Sequence, residues 1–165
     1  MTGQNPPQGY EIEFFRCADG GEPVRRFLDS LSSDKRNALV AALTFVLARQ
    51  GLDVCRSEWG KQLGGGLAEF RLRHDERQVS AGHGPADTTL PDSSAEKILL
   101  RVFFHAHGNR LILLLSGYDK GSRSSARHQQ REIERARGYL KEWQAEKARR
   151  RRANARPSPR RRGRG

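Results

Sequence analysis

Cysteine is scarce: of 165 residues only Cys17 and Cys55 carry thiols. They form no metal-binding or redox motif, and two thiols with nothing to pair them suit a reducing compartment. Long apolar runs are also lacking, with hydrophobic residues at 35%. Met1 to Gly9 is polar, contains Pro6-Pro7 and has no apolar signal core. The densest apolar run, Leu111 to Leu115, suits a short buried strand and is far too short to span a bilayer. No membrane association is therefore expected, and the expected location is the cytoplasm. The acids are scattered without a close carboxylate cluster, which argues against a two-metal nuclease site. No metal and no cofactor are expected.

What the chain has in excess is positive charge, and it is unevenly placed. From Arg149 onward there are nine arginines and no acid; of a net charge of +12, the body before that point carries +3. A polyanionic partner follows, with RNA, DNA or the ribosome as candidates. The length suits one core with ends attached. The expected organisation is a disordered start at 1–8, a folded domain at 9–148 with an inserted loop at 74–96, and a disordered Arg-rich tail at 149–165.

Periodicity supplies the elements. Tyr10, Ile12 and Phe14 alternate as the inward face of a first strand. Pro23 opens a helix with Val24, Phe27, Leu28 and Leu31 at helical spacing. Ser32-Ser33-Asp34 caps a second helix, which runs to about Gln50 with Leu39, Leu43, Val46 and Leu47 on one face; Gly51 stops it. The stretch from Leu52 to Gly66 reads as irregular. Its Gly64-Gly65-Gly66 lacks the spacing and the lysine-plus-hydroxyl ending of a phosphate-binding loop.

Leu67 to Arg73 is the stretch around which the rest is arranged. Ala68, Phe70 and Leu72 point one way; Glu69, Arg71 and Arg73 point the other, onto a wet face. Asp75 to Ala95 is a polar insertion at a hairpin tip. Lys97 to Ala106 and Leu111 to Tyr118 form a strand pair around Gly108-Asn109, the second apolar on both faces and so central. Ser124 or Ser125 caps a last helix with a stripe of Ile133, Ala136, Leu140 and Trp143. The order β-α-α-β-β-β-α gives an α+β fold without internal repeat.

Several short patterns then converge: Glu22-Pro23-Val24-x-x-Phe27-Leu28, Lys61-x-Leu63, Leu67-x-Glu69-Phe70-Arg71, Leu100-Arg101-Val102-Phe103-Phe104, Ser116-Gly117-Tyr118-Asp119-Lys120, and Glu132-Ile133-x-x-Ala136. In this order and spacing they resemble the RelE/HigB superfamily of type II toxins, nearest its phage-derived HigB-like branch. The resemblance covers roughly Tyr10 to Trp143. It implies a RelE-like small, antiparallel-dominated sheet with an N-terminal helical hairpin and a C-terminal helix, the free sheet face being concave and basic. It also implies a ribosome-dependent, metal-independent mRNA endoribonuclease. Its partners would be the ribosome, mRNA and a cognate antitoxin of helix-turn-helix type. Three features depart from the family: Gly121 stands where many relatives have a second lysine, the 74–96 insertion replaces a tight hairpin, and the Arg-rich extension lies outside the pattern.

Carried over by resemblance, the basic strand position falls on Arg71, the preceding lysine on Lys61, the arginine of the next strand on Arg101, and the aromatic-plus-lysine ending on Tyr118 and Lys120. RNA cleavage by its own 2′-hydroxyl needs a proton removed there, charge stabilised on the phosphorane oxygens and a proton given to the 5′ oxygen. Arg71 is the main phosphate clamp expected, with Arg101 in support at the same parity on the neighbouring strand. Lys120 is a general acid or second clamp whose pKa crowding would depress. Tyr118 stacks on a base or helps move a proton. Lys61 and Arg73 are substrate-binding candidates, and Glu69 is an orienting partner for an arginine.

The competing reading of the same residues is a solvated sheet face with surface ion pairs, Tyr118 being a core aromatic. His105 and His107, close to a turn, read as solvated turn histidines rather than an acid–base pair. Two other functions fit the same family: a ParE-like toxin that binds gyrase and cuts no RNA, and a degenerate member acting only in an antitoxin–DNA complex.

Overall fold

The computed structural model describes residues 9–74, 98–108 and 110–155. Strand β1 (Glu11–Phe14) leads to helix α1 (Pro23–Ser30), which starts on its proline, and to α2 (Ser33–Ala42), capped by the Ser32 hydroxyl. The side chain of Arg36 closes the helical hairpin by donating to the carbonyls of Leu28, Asp29 and Leu31, which end α1. Helix α2 continues through a π turn (Leu43–Leu47), a last α-helical turn α3 (Ala48–Gln50) and a 3-10 turn (Gly51–Arg56). Gly51 sits at φ +56° with the Tyr10 ring packed where a Cβ would stand. Here only glycine fits, which makes it the expected stop.

Strands β2 (Gly60–Gly64), β3 (Leu67–His74), β4 (Ile98–His107) and β5 (Leu111–Asp119) follow, then the long helix α4 (Ala126–Ala155). The sheet order is β1-β5-β4-β3-β2, with β1 parallel to β5 and the other pairings antiparallel. The α+β class is as expected. The sheet has one strand more, because Gly60–Gly64 pairs with β3 where the sequence reads as irregular. Its glycines hide the alternation that would mark it. His74 closes β3 rather than opening the insertion; residues 75–97, and so the expected loop, lie outside the described residues, as do 1–8 and 156–165.

Apolar residues fill both faces. Phe70, Leu72, Leu100, Val102, Phe104, Ile112 and Leu114 pack under α1 and α2. Leu67, Phe103, Leu113 and Leu115 pack under Ala136 and Leu140 of α4. Truncating any of these phenylalanines to alanine would cost about 3–5 kcal/mol. The window Ser33–Arg56 is long and apolar enough to cross a bilayer by length and composition, contrary to expectation. Its inward residues Leu39, Leu43, Leu47 and Val54 are taken up by the sheet core.

A bulge between Phe103 and Phe104 shifts the β4–β5 register, so that Phe104 faces Leu114 while Phe103 faces Ser116. The bulge puts Tyr118 on the same face as Leu113 and Leu115, although strict alternation would oppose them. Gly117 then faces α1, where a Cβ would lie 2.5 Å from the Phe27 ring.

Candidate active site

The register brings the expected residues into rows. Arg71 of β3 pairs with Arg101 of β4, and Arg101 with Tyr118 of β5. In the next row Lys61 pairs with Glu69, Glu69 with Phe103, and Phe103 with Ser116. Cross-strand partners have Cβ atoms about 4.5–5.5 Å apart, so two guanidiniums and a phenol lie side by side on the α4 face. Arg73, paired with Leu99, stands one row on, and the Lys120 amide donates to the Leu99 carbonyl at 2.8 Å.

Two arginines directly opposite would repel without a counter-charge, and Glu69 supplies it. Its Oε1 accepts from Arg71 Nε at 2.8 Å and lies 3.6 Å from Arg101 Nε. Glu69 is fully buried and Arg101 is 1% exposed, whereas the Arg71 side chain keeps 23% of its surface. The expectation of a wet face carrying Glu69, Arg71 and Arg73 therefore fails at Glu69, and Arg101 is no open clamp. Helix α4 packs on this side of the sheet through Ala136 and Leu140, so the face expected to be free and concave is covered there. Four buried polar atoms here find no hydrogen-bond partner among the described residues: Glu69 Oε2, Arg101 Nη1, Ser116 Oγ and Tyr118 OH.

Burial sets the titration. It pushes the Tyr118 phenol up to about 12, with Glu69 adding to the rise and Arg101 opposing it, so Tyr118 stays neutral and donates. Burial also lowers the Lys120 pKa, helped by Arg101, Arg71 and Arg73 and opposed by Glu69. That is the expected direction, with burial ahead of crowding. Arg101 is likewise lowered by burial and held up by Glu69. Asp119 next door orders the loop: it accepts from Lys35 Nζ at 2.8 Å and from the Gly121 amide at 2.9 Å.

Lys61, opposite Glu69 on the edge strand, stands at the margin of this group. It is exposed and lines a cleft of ≈ 380 Å³ with Arg56, Cys55 and Gln62, which meets the cationic row only through Arg71. His105 and His107 pack against the Trp143 ring at 5.6 and 5.1 Å, and His105 Nδ1 lies 2.7 Å from the Gly66 carbonyl. They hold the β2–β3 turn and α4 together, a place that is structural and remote from Tyr118's row. Among the described residues no group of three or more His, Cys, Asp or Glu is arranged to hold a metal.

The residues that sequence reasoning missed are on α4. His128 packs edge-on against the Tyr118 ring at 5.4 Å, and its Nε2 lies 3.7 Å from Oε1 of the buried Glu132. Glu132 also accepts from Arg135 Nη1 at 3.1 Å. The signal is present in the i, i+4 spacing of His128 and Glu132 behind the Ser125 cap, whose hydroxyl accepts from the His128 amide at 3.1 Å.

The fold and site together define an α+β protein with a carboxylate-anchored cationic row on one sheet face. No protein-family model, curated protein or solved structure matches this chain.

Proposed function

We propose that this chain is a toxin of the RelE/HigB type, a ribosome-dependent endoribonuclease that cuts mRNA through the RNA's own 2′-hydroxyl. The observation that carries the reading is the single register row Arg71–Arg101–Tyr118, with Lys120 beside it and buried polar atoms left for a ligand to satisfy. Arg71, the most open of the row, clamps a phosphate oxygen in bidentate fashion. Buried Arg101 acts behind it through its charge, in a site where water does not screen it. Neutral Tyr118 donates to the phosphorane; its ring, buried between Phe103 and His128, is not open to stack on a base as expected. Lys120 gives a proton to the 5′ oxygen, and Glu69 orients both guanidiniums. Cytoplasmic location, a small helix-turn-helix antitoxin and docking to the ribosome belong to the same proposal.

The burial of Arg101 favours one other reading, a ParE-like toxin that binds gyrase and cuts nothing. Inducing the wild type and Arg71→Ala in cells while mapping mRNA 5′ ends separates the two. Cleavage predicts new ends with the wild type that vanish with Arg71→Ala. Growth arrest without new ends, accompanied by gyrase-linked DNA breaks, hands the case to the second reading; neither effect favours a degenerate member acting only in an antitoxin–DNA complex.

A further inference from the structure

The cationic row holds clamps and donors but nothing that takes a proton at neutral pH. Arg71, Arg101 and Lys120 are cations, Tyr118 is pushed up to about 12 by burial, and Glu69 meets both guanidiniums through Oε1 while its Oε2 is sealed from the surface. Cleavage through the 2′-hydroxyl requires an acceptor. Imidazole is the side-chain group that exchanges protons near neutrality, and one stands in contact with the row, that of His128.

Its setting is that of a positioned base. The Ser125 cap fixes the backbone in the first turn of α4. The ring is locked edge-on against Tyr118, and Nε2 faces Glu132 at ion-pair distance. Glu132 is itself buried and steadied by Arg135. With Nε2 3.7 Å from the Glu132 carboxylate, the imidazolium formed on taking up a proton lies at ion-pair distance from a negative charge. The side chain is 19% exposed, open enough for a proton to leave by solvent.

We propose that His128, oriented by Glu132, is the general base of the cleavage reaction. The inference rests on the endoribonuclease reading above. In the step, the 2′ oxygen bonds to phosphorus and passes its proton to the His128 imidazole. The bond from phosphorus to the 5′ oxygen breaks, and that oxygen takes a proton from Lys120. The products are a 2′,3′-cyclic phosphate and a 5′-hydroxyl; His128 and Lys120 then exchange their protons with water. The charged and titratable groups around the imidazole are Glu132 and Arg135 on α4, Tyr118 on β5, and, behind Tyr118, Glu69 and Arg101.

The test is single-turnover cleavage of mRNA in programmed ribosomes, followed from about pH 5.5 to 8.5, for wild type, His128→Gln and Glu132→Gln. His128→Gln is expected to lose roughly 10²–10⁴-fold in rate and to flatten the acid limb of the profile, while thermal unfolding and ribosome binding stay near wild type. Glu132→Gln keeps the base but removes its carboxylate. It should lower the single-turnover cleavage rate while ribosome binding and thermal unfolding stay near wild type, a split that a merely packed histidine–glutamate pair would not produce. Wild-type cleavage with unchanged rate and profile in His128→Gln overturns this role and leaves the nuclease reading standing. No cleavage by the wild type overturns both.

Discussion

Glu69→Gln is the substitution that tests the row most directly. Glu69 is the one carboxylate between Arg71 at 2.8 Å and Arg101 at 3.6 Å, and both it and Arg101 are buried. Glutamine keeps the shape and one acceptor oxygen but leaves a buried guanidinium uncompensated beside a second one in register. Breaking such a pair from one side costs about 3–5 kcal/mol. For a chain of this size that corresponds to a fall of roughly 6–20 °C in Tm. Arg101→Met should cost a similar amount, because it strands part of the charge on Glu69. In the Glu69→Gln/Arg101→Met double variant neither charge is stranded, so the two costs should fall short of adding by about 1–3 kcal/mol. Urea unfolding of the four proteins measures this. Additivity within about 0.5 kcal/mol, or a Glu69→Gln cost below about 1 kcal/mol, would refute the argument that Glu69 holds the arginine pair together.

Asp119 gives a pH signature. Burial alone would raise its pKa, but the Lys35 and Ser122 interactions win and hold the carboxyl below its usual value. Its contribution is therefore present above the ordinary carboxylate range and lost as pH falls through the depressed value. Asp119→Asn should cost about 1.5–3 kcal/mol at pH 7 and remove that part of the acid-induced loss, read from urea midpoints between roughly pH 2.5 and 7. Gly117→Ala should cost about 1–3 kcal/mol through its clash with Phe27, less in a Phe27→Ala background, as judged by thermal unfolding. Ending the chain after Ala148 should weaken RNA or ribosome binding and flatten its salt dependence, by roughly 0.7 in the log–log slope for each phosphate no longer neutralised; an unchanged slope removes the anchoring role.

The parts of the fold legible in the sequence are those written in periodicity. The apolar stripe of α1, the alternation of β3 and the Ser125 cap each depend on neighbours three or four residues away at most. The shared face of Arg71 and Arg101 follows from counting parity on two strands. Tyr118 is a different case. It reaches that face only because the Phe103/Phe104 bulge shifts the register, and a bulge in an unbroken apolar run leaves no mark on composition. Burial of Glu69 is equally hidden, since it depends on where α4 settles, a long-range decision. Composition makes the Arg-rich segment disordered from 149. Helix α4 instead runs to Ala155, with Arg149 and Arg150 both paired to Glu146. The i, i+4 spacing that supports it is there to be counted.

A surface that merely attracts polyanions needs only exposed lysines and arginines, which cost the fold little. The row is built otherwise. Its central arginine is buried, its carboxylate anchor is buried, and each buried polar atom without a partner among the described residues costs about 1–3 kcal/mol if nothing satisfies it. Such an arrangement is wasteful for attraction but suited to geometry, because donors already fixed in place need no reordering when charge develops on a bound phosphate. Under the proposed function, attraction falls to the arginine run at the end of α4, and the two tasks are then carried by separate segments. Loss of the run should lower affinity while leaving cleavage of bound RNA intact, and loss of the row should do the reverse.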